Sequence, residues 1–257
     1  MDWNTLLQSR RAQSRGGRVN INFSGRVVVV AGGTGGLGKA ISLAFLEEGA
    51  KVFVTYRKEE EFLALKDSAA LNPSSLEGRQ VDVTDESATA EFINEVLALR
   101  GALDVLVNTV GGYAGGVKLW DMKTTILDRM LALNLRSGYA LARAVLPSML
   151  KVGRGSIVNI AAKAAIDHAA GAAAYAASKA GAVALMDSLA ADCSGTGVRV
   201  NSILPSIIDT PANRQAMPNS DFQKWPKPED IARVVLFLSS DAAKTIHGAA
   251  VPVYGHG

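Results

Sequence analysis

Residues 26–50 read RVVVVAGGTGGLGKAISLAFLEEGA. An unbroken apolar run, a glycine cluster and then apolar residues at a spacing near 3.6 predict a strand, a tight turn and a helix. A run of valines has no polar face. Its strand is therefore buried on both sides, which places it in a parallel sheet covered by helices. The pattern recurs along the chain. Strands are predicted at KVFVTY (51–56), near 80–83, at DVLVN (104–108), GSIVNIA (155–161), VRVNSIL (198–204) and near 249–253. Helices are predicted near 58–71 and over 86–100, 123–151, 175–194 and 228–239. This alternation predicts an α/β, doubly wound, mainly parallel sheet with helices on both faces and ligands at the carboxyl ends of its strands. The length of 257 residues, with 48% hydrophobic and 20% charged, suits one large domain over 20–257. Residues 1–19, with Arg10, Arg11, Arg15 and Arg18, read as a basic, solvated and flexible extension.

The remaining composition excludes several function classes. A net charge of +3 is too small to argue for nucleic acid. Cys193 is the only cysteine, so there is no intrachain disulfide and no C-x-x-C redox or metal site, which fits a reducing cytosol. His168, His247 and His256 are scattered, and no metal site is expected. No segment has the roughly 18 uncharged apolar residues of a membrane helix. The basic start lacks the apolar core of a secretory signal, while a short organelle-targeting peptide stays open.

Gly32, Thr34, Gly36, Leu37 and Gly38 fall between the first strand and the first helix, where glycine lets backbone approach a pyrophosphate and the helix start offers free N–H groups. A second strand about 20 residues on completes a dinucleotide-binding pattern. That strand ends in Thr55-Tyr56-Arg57-Lys58. An NAD site places a carboxylate there to hold the ribose hydroxyls, whereas cations accept a 2′-phosphate. The pattern favours NADP(H), with NAD(H) left open and a solvated helix start as the alternative for Arg57 and Lys58.

Tyr175 and Lys179, four apart on a helix, share a face. A free phenol with a pKa near 10 is a poor acid at neutral pH. An adjacent ammonium is expected to lower that value and make tyrosine a proton donor. Asn134 sits mid-helix, where asparagine is disfavoured, so it reads as a site residue or a buried packing residue. Residues 205–228 hold five of the eight prolines and are expected to form a structureless substrate lid or, alternatively, a surface loop with aromatic anchors.

In chain order, GGTGGLG, Asp82 in VDVTD, VNTVGG, Asn134 in LNL and YAASK resemble the short-chain dehydrogenase/reductase superfamily. The resemblance implies a Rossmann-type seven-stranded sheet, a nicotinamide cofactor, a small-molecule substrate, and homodimers or homotetramers. It implies that Asp82 and Val83 meet the adenine, that Asn108 and Gly111 line the cofactor, and that Pro205, Ile208 and Thr210 hold the carboxamide. It gives Tyr175 the proton, Lys179 a contact to the ribose, and Asn134 a water relay to that lysine. Most members carry a serine thirteen residues before the tyrosine, where this chain has Ala162. AAKAAID (161–167), GGYAGG (111–116) and DTPANRQAMPNSDFQKW (209–225) resemble the quinonoid dihydropteridine reductase branch, which also lacks that serine. That branch implies a substrate reactive enough to do without it, with Ala162, Tyr113, Met217 and Trp225 beside it and Tyr113 stacking on a flat heterocycle. Two alternatives stand beside this reading. One is a general carbonyl or 3-oxoacyl reductase or alcohol dehydrogenase; the other is a nucleotide-binding protein without catalysis.

Overall fold

In β1 (Val27–Ala31) all five side chains are buried, and alternate residues enter different cores. Val28 and Val30 pack with Ile41 and Phe45. Val27, Val29 and Ala31 pack with Phe92, Ile93 and Leu141 on the other face. This period of two is what a strand between two helical layers requires. The computed structural model describes residues 21–69 and 73–256; the predicted basic extension over 1–19 lies outside them.

The helices and strands after β1 are α1 (Gly36–Glu47), β2 (Lys51–Tyr56), α2 (Glu59–Ser68), β3 (Leu76–Gln80), α3 (Glu86–Arg100) and β4 (Val105–Asn108). They continue as α4 (Thr124–Leu131), α5 (Ser137–Val152), β5 (Gly155–Ile160), α6 (Ala173–Asp192) and β6 (Val198–Pro205). The last are α7 (Pro211–Ala216), α8 (Pro228–Ser239) and β7 (Ala250–Val253). The seven strands lie in the order β3-β2-β1-β4-β5-β6-β7, and every pairing is parallel. The chain leaves β1 in one direction to β2 and returns to β4 on its other side. That reversal opens a crevice at the carboxyl ends of β1 and β4.

Three expectations change. The third strand is Leu76–Gln80 rather than 80–83, so Asp82 lies past its end. There its carboxylate accepts the Thr84 N–H at 3.0 Å in a turn beside the crevice. The expected helix over 123–151 is two helices joined by a π-helical turn at Ala132–Arg136. Such turns widen the helix and re-aim a side chain, here Asn134. The expected structureless lid carries α7. Its N-cap Thr210 accepts the Asn213 N–H at 3.2 Å, and Asp209 receives two hydrogen bonds from Arg214, at 2.5 and 2.8 Å. A proline at the first helical turn and a side-chain cap are good helix starters, and the proline count hid them.

Candidate active site

The glycine turn after β1 is held by its own backbone and by β2. Gly32, at φ +74°, donates to Thr55 Oγ1 at 2.9 Å, and Gly33 donates to the Thr55 carbonyl at 3.2 Å. A Cβ on Gly38 would overlap the Gly32 carbonyl, so this glycine is required for close packing of α1 on the turn. The Leu37 side chain is also core, and both residues can approach a ligand only with backbone. Gly35 and Gly36 are exposed at the start of α1, which has no side-chain cap and no acidic residue in its first turn. The free N–H groups there suit an anion. A Cβ on Gly36 would come within 3.0 Å of the Thr210 methyl group, so the lid reaches across to this helix start.

From here a cleft of about 790 Å³ runs past Thr55 and Arg57 to Asp82, and past Thr109 to Gly111. That volume lies in the range of cofactor and ligand sites, roughly 300–1,000 Å³. At its far end Tyr56 stacks on Phe62, centroids 4.9 Å apart and nearly parallel. Thr84 holds the Asp82 carboxyl below the usual carboxylate range through its N–H and hydroxyl, with the Arg57 charge adding to this. The Val83 side chain packs in the core. The end of β2 carries no carboxylate, as its sequence reads, yet Glu61 lines the cleft and accepts from Thr34 Oγ1 at 3.1 Å. It reaches in from α2, beyond the strand end where the sequence pattern is read. Arg129, from α4, also lines the cleft and has no local sequence signal.

α6 presents Tyr175 and Lys179 one turn apart. Lys179 is only 5% exposed, and its ammonium donates to the Ile160 carbonyl at 3.0 Å, at the end of β5. Burial pulls the lysine down to about 8. Burial also pushes the Tyr175 phenol up to about 12, with the neighbouring Tyr113 adding to the rise. The spacing had predicted a lowered phenol pKa. Burial of the phenol, with Tyr113 adding to it, turns the shift upward instead.

The π-helical turn carries Asn134 into the interior, where its amide is fully engaged. Oδ1 accepts the Gly112 N–H at 2.9 Å, while Nδ2 donates to the Gly112 carbonyl at 3.0 Å and to Ser178 Oγ at 2.9 Å. Ser178 in turn donates to the Tyr175 carbonyl at 2.8 Å. Asn134 thus ties the loop after β4 to the tyrosine's helix. A Cβ on Gly111 would crowd both Asn134 Oδ1, at 2.8 Å, and Lys179 Nζ, at 3.1 Å. Glycine is what lets these two groups and the loop meet. Asn108 acts similarly: it accepts from Val110 N at 3.1 Å and donates to Asn159 Oδ1 at 3.0 Å, so its side chain braces the loop.

On the substrate side, Ala162 is buried at the end of β5 and offers no hydroxyl. Tyr113 packs edge-to-face on Tyr175 with centroids 5.0 Å apart. Pro205 closes β6, and the half-buried Ile208 packs against the core while its carbonyl accepts from Asn213 Nδ2 at 2.8 Å. Met217 is half-buried. Trp225 is 9% exposed against Phe222, beside the chain's last turn, where His256 N donates to the Lys224 carbonyl at 3.2 Å. It anchors the lid rather than facing open space.

The fold and site define a nucleotide-dependent oxidoreductase. Residues 26–221 match the short chain dehydrogenase family, and the chain belongs to it. The chain is 31% identical over 243 residues to a 3-oxoacyl-[acyl-carrier-protein] reductase of Thermotoga maritima, covering 91% of this chain and 98% of that one. Its fold is similar to the structure of ElxO with NADP bound, at TM-score 0.84, 26% identity, and 89% and 96% coverage. It is also similar to an NAD+-bound xylitol dehydrogenase, at TM-score 0.82, 26% identity, and 91% and 99% coverage. The two structures hold different nucleotides, so likeness alone does not choose between them. Among the described residues no helix is long and apolar enough to cross a membrane.

Proposed function

We propose that the chain is an NAD(P)H-dependent reductase that adds hydride to a quinonoid dihydropterin-like or related heterocycle, with Tyr175 donating the proton. One juxtaposition supports this reading. Lys179 and Asn134 converge on Gly111 and Gly112 beside a cleft of about 790 Å³, Tyr175 packs on Tyr113 in the same loop, and Ala162 leaves the serine position without a donor. When bound, a reduced nicotinamide supplies the hydride. Gly32, Thr34, Gly36 and Leu37 hold the pyrophosphate end, chiefly by backbone, with Gly38 keeping the helix close. Tyr56, Arg57, Asp82 and Val83 hold the adenosine end, and Arg57 favours a 2′-phosphate and hence NADP(H). Asn108, Gly111, Lys179, Pro205, Ile208 and Thr210 hold the nicotinamide end. A phenol at about 12 holds its proton throughout the ordinary pH range but is a weaker acid than a free one, so the drive for its transfer comes from the negative charge that hydride places on the accepting atom. Lys179 changes charge near 8, so an alkaline fall in the reduction rate near that pH belongs to the lysine.

The test is oxidation of NADPH and NADH by the purified protein with quinonoid dihydropterin. Turnover is expected, and Tyr175→Phe is expected to lower it by about 10²–10⁴ while nucleotide still binds. No turnover with either nucleotide rejects the pterin reading. The likeness to the Thermotoga maritima reductase favours a second reading, reduction of simple ketones or 3-oxoacyl groups. A ketone and acyl panel separates the two.

A further inference from the structure

We propose that Tyr113 is a second catalytic residue: its phenol hydroxyl donates a hydrogen bond to the substrate atom that Tyr175 protonates, supplying the donor that Ala162 lacks. The inference rests on the reductase reading above and holds for a ring nitrogen or a carbonyl oxygen alike.

Four observations carry it. First, Tyr113 is 68% exposed, yet its ring sits edge-to-face on Tyr175 with centroids 5.0 Å apart. It is therefore held in place beside the proton donor and still open to a substrate. Second, the loop that leads into it is braced at two points. Thr109 Oγ1 donates to the Ala31 carbonyl at 2.7 Å, and Gly112, the residue before Tyr113, exchanges two hydrogen bonds with Asn134. Such bracing is what positions a donor before the substrate arrives. Third, the Tyr113 phenol lies over Gly115, where a Cβ would collide with its oxygen. Gly115 thus leaves room for the hydroxyl end of the Tyr113 ring, whose oxygen a Cβ would overlap and whose Cζ it would meet at 2.6 Å. Fourth, Ala162 has only a methyl group to offer, and the next side chain is turned elsewhere, Lys163 pairing with Asp167 at 3.0 Å and covering the Tyr254 ring at 5.3 Å.

The chemistry balances without a further reactant. Hydride brings two electrons to the substrate carbon and the Tyr175 proton completes the addition across the C=N or C=O bond. The Tyr113 O–H bond stays intact and only strengthens its hydrogen bond as negative charge grows on the accepting atom.

Tyr113→Phe keeps the ring and removes the hydroxyl, so it separates donation from stacking. Expected is a fall in kcat of about 10²-fold, the usual loss for one such donor, with KM changed by less than about threefold and NADPH affinity unchanged. Gly115→Ala is expected to reproduce that fall by displacing the phenol. Adding Ala162→Ser to Tyr113→Phe is expected to restore at least about tenfold of kcat, because a hydroxyl returns from the other side. A Tyr113→Phe enzyme as active as the parent, with Tyr175→Phe inactive, overturns this inference and leaves the reductase reading standing. So does a fall in kcat that Ala162→Ser fails to restore. An unmodified protein inactive with both nucleotides on pterin, ketone and acyl substrates overturns the reductase reading itself, and this inference with it.

Discussion

Replacing Lys179 by methionine keeps the apolar stem and removes the charge. The lysine falls from an ordinary 10.5 to about 8 because the folded protein buries it. At 1.36 kcal/mol per pH unit, that drop means the protonated side chain costs the native state about 3 kcal/mol. The sign follows from where each state holds its proton. Below about 8 both folded and unfolded chains are protonated and the full cost is present. Between about 8 and 10.5 the folded chain releases the proton first, so stability rises with pH, and above that range the cost is gone. Methionine removes the cost but leaves the Ile160 carbonyl, now bonded at 3.0 Å, without its donor. That loss is about 1–2 kcal/mol. The nucleotide-free variant is therefore expected to be about 1–2 kcal/mol more stable than the parent at pH 7. The corresponding rise in melting temperature is roughly 2–8 °C at 2–4 °C per kcal/mol. By pH 10 the advantage should vanish or reverse, and catalysis should be lost at every pH. Urea unfolding of both proteins at pH 7 and pH 10, without nucleotide, measures it. A variant less stable than the parent at pH 7, or a stability gap that ignores pH, refutes the reasoning.

Gly38→Ala places a Cβ on the Gly32 carbonyl, a backbone atom that cannot swing aside. It should cost more than about 3 kcal/mol, in the range of severe core overpacking, and show as lost soluble yield or a lowered urea midpoint. His247 accepts the Val200 N–H at 3.1 Å and contacts the Ala190 carbonyl at 2.7 Å. Since an N–H must donate and a carbonyl must accept, the ring is neutral with its proton on Nε2. His247→Ala should cost about 1–3 kcal/mol by orphaning both backbone groups, again read from urea unfolding. Arg57→Glu should weaken NADPH binding by at least about tenfold and NADH binding far less, the loss expected when a phosphate-pairing cation is reversed. Separate titrations of the two nucleotides check the ratio.

Most of the sheet is legible because β1, β2, β4, β5 and β6 are buried on both faces. Val27–Ala31 and residues 105–107 are apolar throughout, and an uninterrupted apolar run is visible in one dimension. Boundaries were less legible where a strand is partly exposed. β3 reads Leu-Glu-Gly-Arg-Gln, and the apolar signal sits past its end at Val81 and Val83. Tyr175 and Lys179 were found because four residues make one helical turn, a local relation. Glu61, Arg129 and the Gly115 cradle beneath Tyr113 were not, because each depends on chain segments brought together by the fold.

The sequence by itself determined the architecture and placed Tyr175 and Lys179 on one turn of a single helix, because both follow from spacing within single elements. Only the tertiary structure decided how that pair behaves. Helical proximity of a phenol and an ammonium predicts a lowered phenol pKa. Packing buries Lys179 against Ile160 and half-buries Tyr175 against Tyr113, and the phenol rises to about 12 instead. Desolvation depends on everything that surrounds a group, and no one-dimensional spacing carries that sum.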